Sequence, residues 1–600
     1  MVRIVDCKSY HRGCETILLQ RPRMNPSVST RPQKPSAGEI SAAVPELLSL
    51  RSSLILGFCF AAAVFAVYYG TLDFQFILDD HRFVGDPRIQ SSGYLWDYFS
   101  NYTWAQYTGG PPSFYRPLFI VWMRINYILN EASPWGWHLL SILKHLAAAA
   151  LLGLLAWKLL ADRTAAIFAA VLFALHPAQV ESVAWATVPD PLMAVGISAT
   201  LLFYLKYVES FRAAAVVAAK TSRKSARAAS VPKPSPGWLI ASAAACLASL
   251  LVKETAIVLP VIMFVLALFL PPGMSSTSTD RESDSWLLRF KCALQRTWLF
   301  AAVAVFYLFL RMHAFGGKLG SRTQQISIRT VVFSWPATLW FYVKALVWPV
   351  RSYSFADPRL IDRFSFREIL LPALAVCCFA AIMAAAFVWA WKKTGRGISG
   401  ERAAKVRYAL LVAVLLLVLP ILPTLDLNAL NPGDFLHGRY TYLPSAGAML
   451  LLAALWHLAG KARLPLLGAA AVLVVVFATL TASQEKQWHD DLTVFTVAHQ
   501  LAPHNSPVAR NLANAHVQQA LPLAEEGRCN EALPVFEQVT QQFPEDWFAW
   551  AAFGDCLVQI NNLPRAEDAL HRAASLSHDS QVVEHWQELR THMGLPNSAP

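Results

Sequence analysis

LPLLGAAAVLVVVFATLTA, residues 464–482, runs for nineteen residues without a charge. A helix needs roughly 20 apolar residues to cross the ~30 Å hydrocarbon core of a bilayer. The next twelve residues, SQEKQWHDDLTV (483–494), carry four charges: Glu485, Lys486, Asp490 and Asp491. The expected solvent is therefore lipid before residue 482 and water after it.

Upstream, the same signature recurs at Leu54–Leu72, Trp137–Leu160, Thr164–Leu175, Pro191–Tyr207, Trp238–Val252, Ala256–Leu270, Trp298–Leu310, Val331–Val350, Ile369–Trp391, Tyr408–Leu422 and Tyr442–Leu458. Some runs are short or broken by proline, which sets the expected number of spans at about eleven to thirteen. Composition agrees: 55% of residues are hydrophobic and 15% charged, against about 25% charged in soluble domains. The fold class expected is all-α, a polytopic transmembrane bundle followed by a soluble helical tail. The net charge of +12 lies mostly in short loops between apolar runs, where it sets orientation and meets anionic headgroups. Because no single basic face is interleaved with aromatics, nucleic acid is not an expected partner.

Residues 1–50 are polar, proline-rich and basic (Arg21, Arg23, Arg31, Lys34) and read as a disordered cytoplasmic tail. The bundle then covers 51–482. Basic loops around 206–233, 281–296 and 392–407, with Lys461 and Arg463, are assigned to the cytoplasm. That assignment puts the 73–116 loop and everything after Ala482 outside.

The tail, 483–600, repeats itself. Ala532 to Ala566 and Phe536 to Leu570 are both 34-residue steps, with Trp550, Gly554, Ala573 and Pro544 at fitting offsets. This is the tetratricopeptide pattern, in which small residues let paired helices approach closely. Pro503 to Pro544 is 41 residues, so a seven-residue insertion is expected near Pro522–Arg528. Cys529 and Cys556 lie in these repeats and can pair if the compartment is oxidising.

Four clusters carry possible chemistry. Asp79 and Asp80 stand just beyond the first span, with Arg116 later in the same loop. A carboxylate at the membrane boundary can act as a base toward an acceptor hydroxyl, although an ordinary acidic loop explains the pair equally well. His176 and Glu181, with Asp190 close after, interrupt two apolar runs. His176 suits a helix terminus, whereas Glu181 between apolar segments is the stronger candidate. Lys253 and Glu254 break another run and can be read as a mutually neutralising pair. Finally, Asp434-Phe435-Leu436-His437-Gly438-Arg439-Tyr440 places an arginine and an aromatic hydroxyl at a helix start. A guanidinium fork matches phosphate oxygens, and it can equally grip lipid headgroups. The cysteines show no metal-ligand spacing, and no phosphate-binding glycine loop, nucleophile elbow or zinc motif is present. These absences set aside ATP-driven and hydrolase readings, while the sequence assigns no certain cofactor and leaves a divalent-metal requirement open.

Taken in this order, the clusters and the terminal repeats resemble the transmembrane and tetratricopeptide-repeat-containing O-mannosyltransferases of the GT-C glycosyltransferase superfamily. The resemblance covers roughly Leu54 to Leu576. Two departures are Val188-Pro189 before Asp190, where the family usually has an arginine, and the small number of repeats. What the resemblance implies is transfer of a sugar, mannose in that family, from a polyprenyl-phosphate donor to a protein hydroxyl on the external face. Asp79 or Asp80 would be the base and Glu181 a second catalytic support. Arg439, Lys253, Arg116 and Tyr440 would hold the donor phosphate, with His176, Asp190, Glu254 and His437 as supporting polar groups. The repeats would present the polypeptide acceptor. An alanine-rich, compact chain suits a bacterial inner membrane with periplasmic repeats, or an endoplasmic-reticulum membrane with luminal repeats in a eukaryote. The rival readings are a scaffold that binds partners through its repeats and a transporter of lipid-linked substrates. A transporter would show internal symmetry in the bundle, and none is evident.

Overall fold

The computed structural model describes residues 50–105, 114–222, 235–270, 286–318, 325–350, 359–397, 400–430, 435–577 and 580–596. Residues 1–49, parts of the basic loops (223–233, 281–285 and 398–399) and Asp434 lie outside the described residues. Among the described residues there are helices and turns but no strand. The chain is a multi-pass membrane protein, all-α, ending in a helical-repeat domain.

Eight helices among the described residues are long and apolar enough to cross a bilayer, or nine if the bent pair Arg163–Leu175 and Pro177–Ala184 is one span. Length and composition alone thus count fewer than the expected eleven to thirteen, and the physical reasons are local. Pro236–Val252 and Glu254–Leu268 are apolar but short, separated by the extended residue Lys253. The run Gly438–Trp488 counts once, yet its 51 residues far exceed one bilayer thickness at ~1.5 Å per residue. It folds as two helices, Tyr442–Ala459 and Arg463–Gln484, separated at Gly460, whose φ is +56°.

Small residues set the helix spacing. On Pro134–Leu160, Ala148, Ala149, Gly153 and Ala156 are buried, as are Ala165, Ala166, Ala169 and Ala170 of Arg163–Leu175. A Cβ on Gly153 would lie 3.0 Å from the Ala170 Cβ. Where lipid tails are as apolar as leucine, such close backbone packing drives helix association. Tyr442–Ala459 and Gly400–Val418 meet still more closely: a Cβ on Gly447 would lie 2.4 Å from the Leu417 nitrogen and 2.5 Å from the Ala413 oxygen. By contrast, the apolar window within Phe366–Gly395 has no buried residue and suits a helix facing lipid.

The tail forms helices Asp491–Leu501, Ser506–Glu525, Cys529–Gln542, Trp547–Gln559, Leu563–Leu576 and Ser580–His592. Both 34-residue steps end in the core, with Ala532, Phe536, Ala566 and Leu570 fully buried. Gly554 admits Leu570: an added Cβ would meet its Cγ at 2.7 Å. The extra length anticipated near Pro522 extends one helix, since Ser506–Glu525 has 20 residues and its counterpart Trp547–Gln559 has 13. Cys529 and Cys556 form a disulfide across two helices, with Cα atoms 5.3 Å apart.

Between bundle and repeats lies a smaller apolar layer. Phe74 and Ile77 of the first loop pack there with Val180, Trp185 and Val188, and with Trp488, Val494, Phe495 and Ala515 of the tail. This layer positions the polar groups described next.

Two outcomes are expected. Gly447→Ala should destabilise the detergent-solubilised protein by about 3 kcal/mol through overpacking, read as a lower thermal midpoint. Gly468→Ala, which meets nothing within 4 Å, should leave it unchanged. Replacing Cys529 and Cys556 by serine should cost the repeats about 3.5 kcal/mol, from the entropy of closing a loop of 27-residue separation. Faster proteolysis within 523–591 in the full chain would show that loss.

Candidate functional site

Trp185 and Val188 of this layer border a cavity of about 480 Å³. The first loop supplies Asp79 through a turn that is held by force. Leu78 has φ +53° and ψ −123°, a conformation that costs a side-chain-bearing residue free energy unless its surroundings impose it. They do so through Asp491, whose Oδ1 accepts from the Leu78 nitrogen at 2.9 Å, while its Oδ2 meets His81 Nε2 at 2.9 Å. The short helix Asp79–Val84 begins immediately afterwards.

The two adjacent aspartates have different surroundings. Asp79 lines the cavity, with a side chain 42% exposed and Arg82 3.8 Å away. Asp80 is fully buried; its Oδ2 accepts from the Ile77 nitrogen at 3.2 Å and its Oδ1 from the Thr187 nitrogen at 3.0 Å. Burial pushes its carboxyl up to about 7, against the pull of these donors and of His81.

Three cation–carboxylate groups make up the remaining polar wall. Arg116 forks onto Glu254, Nε to Oε2 at 2.9 Å and Nη2 to Oε1 at 2.5 Å. Lys253 Nζ donates to both oxygens of Asp190, at 2.7 and 2.6 Å. Glu181 accepts from the Arg439 backbone nitrogen at 3.0 Å, contacts the Arg439 Nη1 at 3.3 Å and meets His437 Nδ1 at 3.0 Å. Each pairing offsets the cost of removing charge from water. Aromatic faces complete the wall: the Arg439 guanidinium lies 4.6 Å from the Trp185 ring centre and Lys253 Nζ 5.1 Å from that of Tyr440.

Asp79, Arg116, Lys253, Glu254, His437, Arg439 and Tyr440 thus share one cavity. Glu181 and Asp190 stand behind it as partners of its cations. His176 is elsewhere: Nε2 meets the Leu346 oxygen at 3.1 Å and Nδ1 accepts from the Ala178 nitrogen at 3.1 Å, the helix-end arrangement. Among the described residues, no group of three or more His, Cys, Asp or Glu side chains could hold a metal.

Sequence reading passed over two cations. Arg311 lines the cavity from the last turn of Trp286–Ala314. Lys144 is buried within Pro134–Leu160 and donates to the Ala186 oxygen at 3.1 Å and the Val188 oxygen at 3.3 Å. A lysine inside an apolar run is itself a signal, because intramembrane charge is expensive.

Several known proteins are similar to this chain. Residues 523–591 match the tetratricopeptide-repeat family model. The chain is 24% identical to the protein O-mannosyl-transferase TMTC3 of Mus musculus over 547 residues, 86% of this chain and 54% of that protein. It is 23% identical to TMTC1 of the same organism over 603 residues, 85% of this chain and 59% of that protein. Identity rises to 36% over 159 residues of Tmtc2 from Drosophila melanogaster, 26% of this chain and 17% of that protein. The chain therefore spans little more than half of the relatives that it matches along most of its own length. Among solved structures, ArnT from Cupriavidus metallidurans bound to undecaprenyl phosphate aligns with a TM-score of 0.35 and 14% identity, over 87% of this chain and 80% of that one.

The His81–Asp491 link makes the attachment of the tail pH-dependent. The hydrogen bond that His81 donates to Asp491 raises its pKa above the ordinary value. Its contribution is therefore full below about pH 6.5 and is lost as pH rises through the raised value. Hydrogen exchange at residues 490–496, corrected for intrinsic rates, should be faster at pH 8.5 than at pH 6. In His81→Gln that difference should shrink.

Proposed function

We propose that this chain is a GT-C-type glycosyltransferase that moves mannose from a polyprenyl-phosphate donor to a polypeptide hydroxyl on the external face. The observation that carries the reading is the cavity itself: a half-exposed carboxylate, Asp79, shares it with Arg116, Lys253 and Arg439. Such a site offers a base and a cationic wall, which are the two things this reaction needs. The names of the relatives supply mannose and a protein acceptor.

In the proposed step the acceptor oxygen attacks the anomeric carbon as the bond from that carbon to the phosphate oxygen breaks. The hydroxyl proton passes to Asp79, and polyprenyl phosphate leaves with the electron pair, so the anomeric centre inverts. Arg439, Arg116 and Lys253 stabilise the charge that gathers on the phosphate. Their carboxylate partners hold them in place beforehand, so little reorganisation is needed at the transition state. Tyr440, between Lys253 and Arg439, keeps the two cations spaced. Asp80 is assigned to positioning, because both of its oxygens are engaged by backbone donors. Glu181 moves from the catalytic set to support of Arg439 and His437. His176 supports only the helix end.

Two features favour repeats on the same side as the cavity. Asp491 of the tail bonds Leu78 and His81 of the first loop, and the Cys529–Cys556 disulfide suits an oxidising compartment.

The test is transfer of radiolabelled mannose from polyprenyl phosphate to membrane protein, at matched expression. Asp79→Asn should lower transfer at least a hundredfold. Asp80→Asn should lower it by a smaller factor, and Arg439→Ala should raise the donor KM as well as lowering kcat. Equal activity in Asp79→Asn would remove the base assignment, and no transfer from several donors by the wild type would remove the reading as a whole.

A further inference from the structure

We infer that Lys144 and Asp80 act as one positioning device that clamps the peptide joining Ala186 to Thr187 and so sets the geometry of the cavity wall facing Asp79. The inference rests on the proposed role of Asp79 and assigns a function to a buried lysine that this role leaves unused.

In a trans peptide the carbonyl and the N–H point in opposite directions. Lys144 Nζ takes the carbonyl oxygen of Ala186 at 3.1 Å, and Asp80 Oδ1 takes the N–H of Thr187 at 3.0 Å. These are the two ends of one peptide unit. A cation thus faces its negative end and a carboxylate its positive end. Lys144 also holds the next carbonyl, that of Val188, at 3.3 Å. Asp190, two residues further on, is held by Lys253. Trp185, Thr187, Val188 and Pro189 line the cavity, and charged groups from three separate elements therefore fix the path of this segment.

The clamp reaches Asp79 through the chain. Asp80 is its immediate neighbour in the short helix Asp79–Val84, and the second oxygen of Asp80 closes the turn onto Ile77. A shift of the 186–188 peptide moves Asp80, and Asp79 moves with it. Lys144 and Asp80 are both almost inaccessible to water, and Lys144 lies within the electrostatic reach of Asp80. Removing one charge takes from the other its counter-charge across the peptide, leaving Lys144 to Asp190 and Asp80 to His81, which costs more than removing both.

Two measurements test this. In a mannose-transfer assay, Lys144→Met should lower kcat at least tenfold with the donor KM within twofold. Adding Asp80→Asn to it should recover at least threefold, a coupling that independent residues do not show. Factors that simply multiply, or a loss confined to KM, would overturn the clamp. The second measurement needs no activity. Thr187→Cys is placed in a background without the free cysteines and labelled with a membrane-impermeant maleimide. Lys144→Met should speed labelling at least threefold; an unchanged rate would overturn the proposal even if transfer is observed. Where Lys144→Met fails to accumulate, Asp80→Asn breaks the same device from its other side and is read in the same way. Absence of wild-type transfer would end the glycosyltransferase reading, while the labelling rates would still decide the clamp.

Discussion

A charge removed from water must be matched where it is buried, and the layer between membrane and repeats is organised by that requirement. Asp190 lies against Lys253, Glu254 against Arg116, and Glu181 between His437 and Arg439. Breaking such a pair by removing one partner costs several kcal/mol. The elements that meet here are short helices and turns joined by the apolar layer around Trp185 and Trp488. Their arrangement depends on these pairings, which leave one wall of the cavity cationic.

The bundle was legible in the sequence because lipid imposes a simple rule, long apolar runs, and the runs from Leu54 to Ala482 obey it. Counting them was harder, since Lys253 breaks one apolar stretch into two short helices and Gly460 divides another into two long ones. The repeats were legible for a different reason: a fixed step of 34 residues returns the same contact. Ala532 and Ala566, or Phe536 and Leu570, pair by that step alone.

The candidate site was legible only in part. Its residue types stood out as charges among apolar runs, but their partners lie far away along the chain. Arg116 and Glu254 are separated by 138 positions, and Glu181 and His437 by 256. Local sequence could not distinguish Asp79 from Asp80, because the difference lies in the N–H of Thr187, 107 positions from Asp80. Lys144 was visible as a charge and illegible as a contact, since it binds backbone oxygens, which leave no mark on residue identity.

The link at Asp491 changes what a truncation can reveal. Asp491 belongs to the first helix after the membrane part, yet it holds the strained Leu78 turn that introduces Asp79. Cutting the chain after the last span, to ask whether the repeats capture acceptors, would also release that turn. A silent truncated protein would then report a collapsed first loop as readily as a missing docking platform. A cut placed after Leu501 would retain the latch and separate the two.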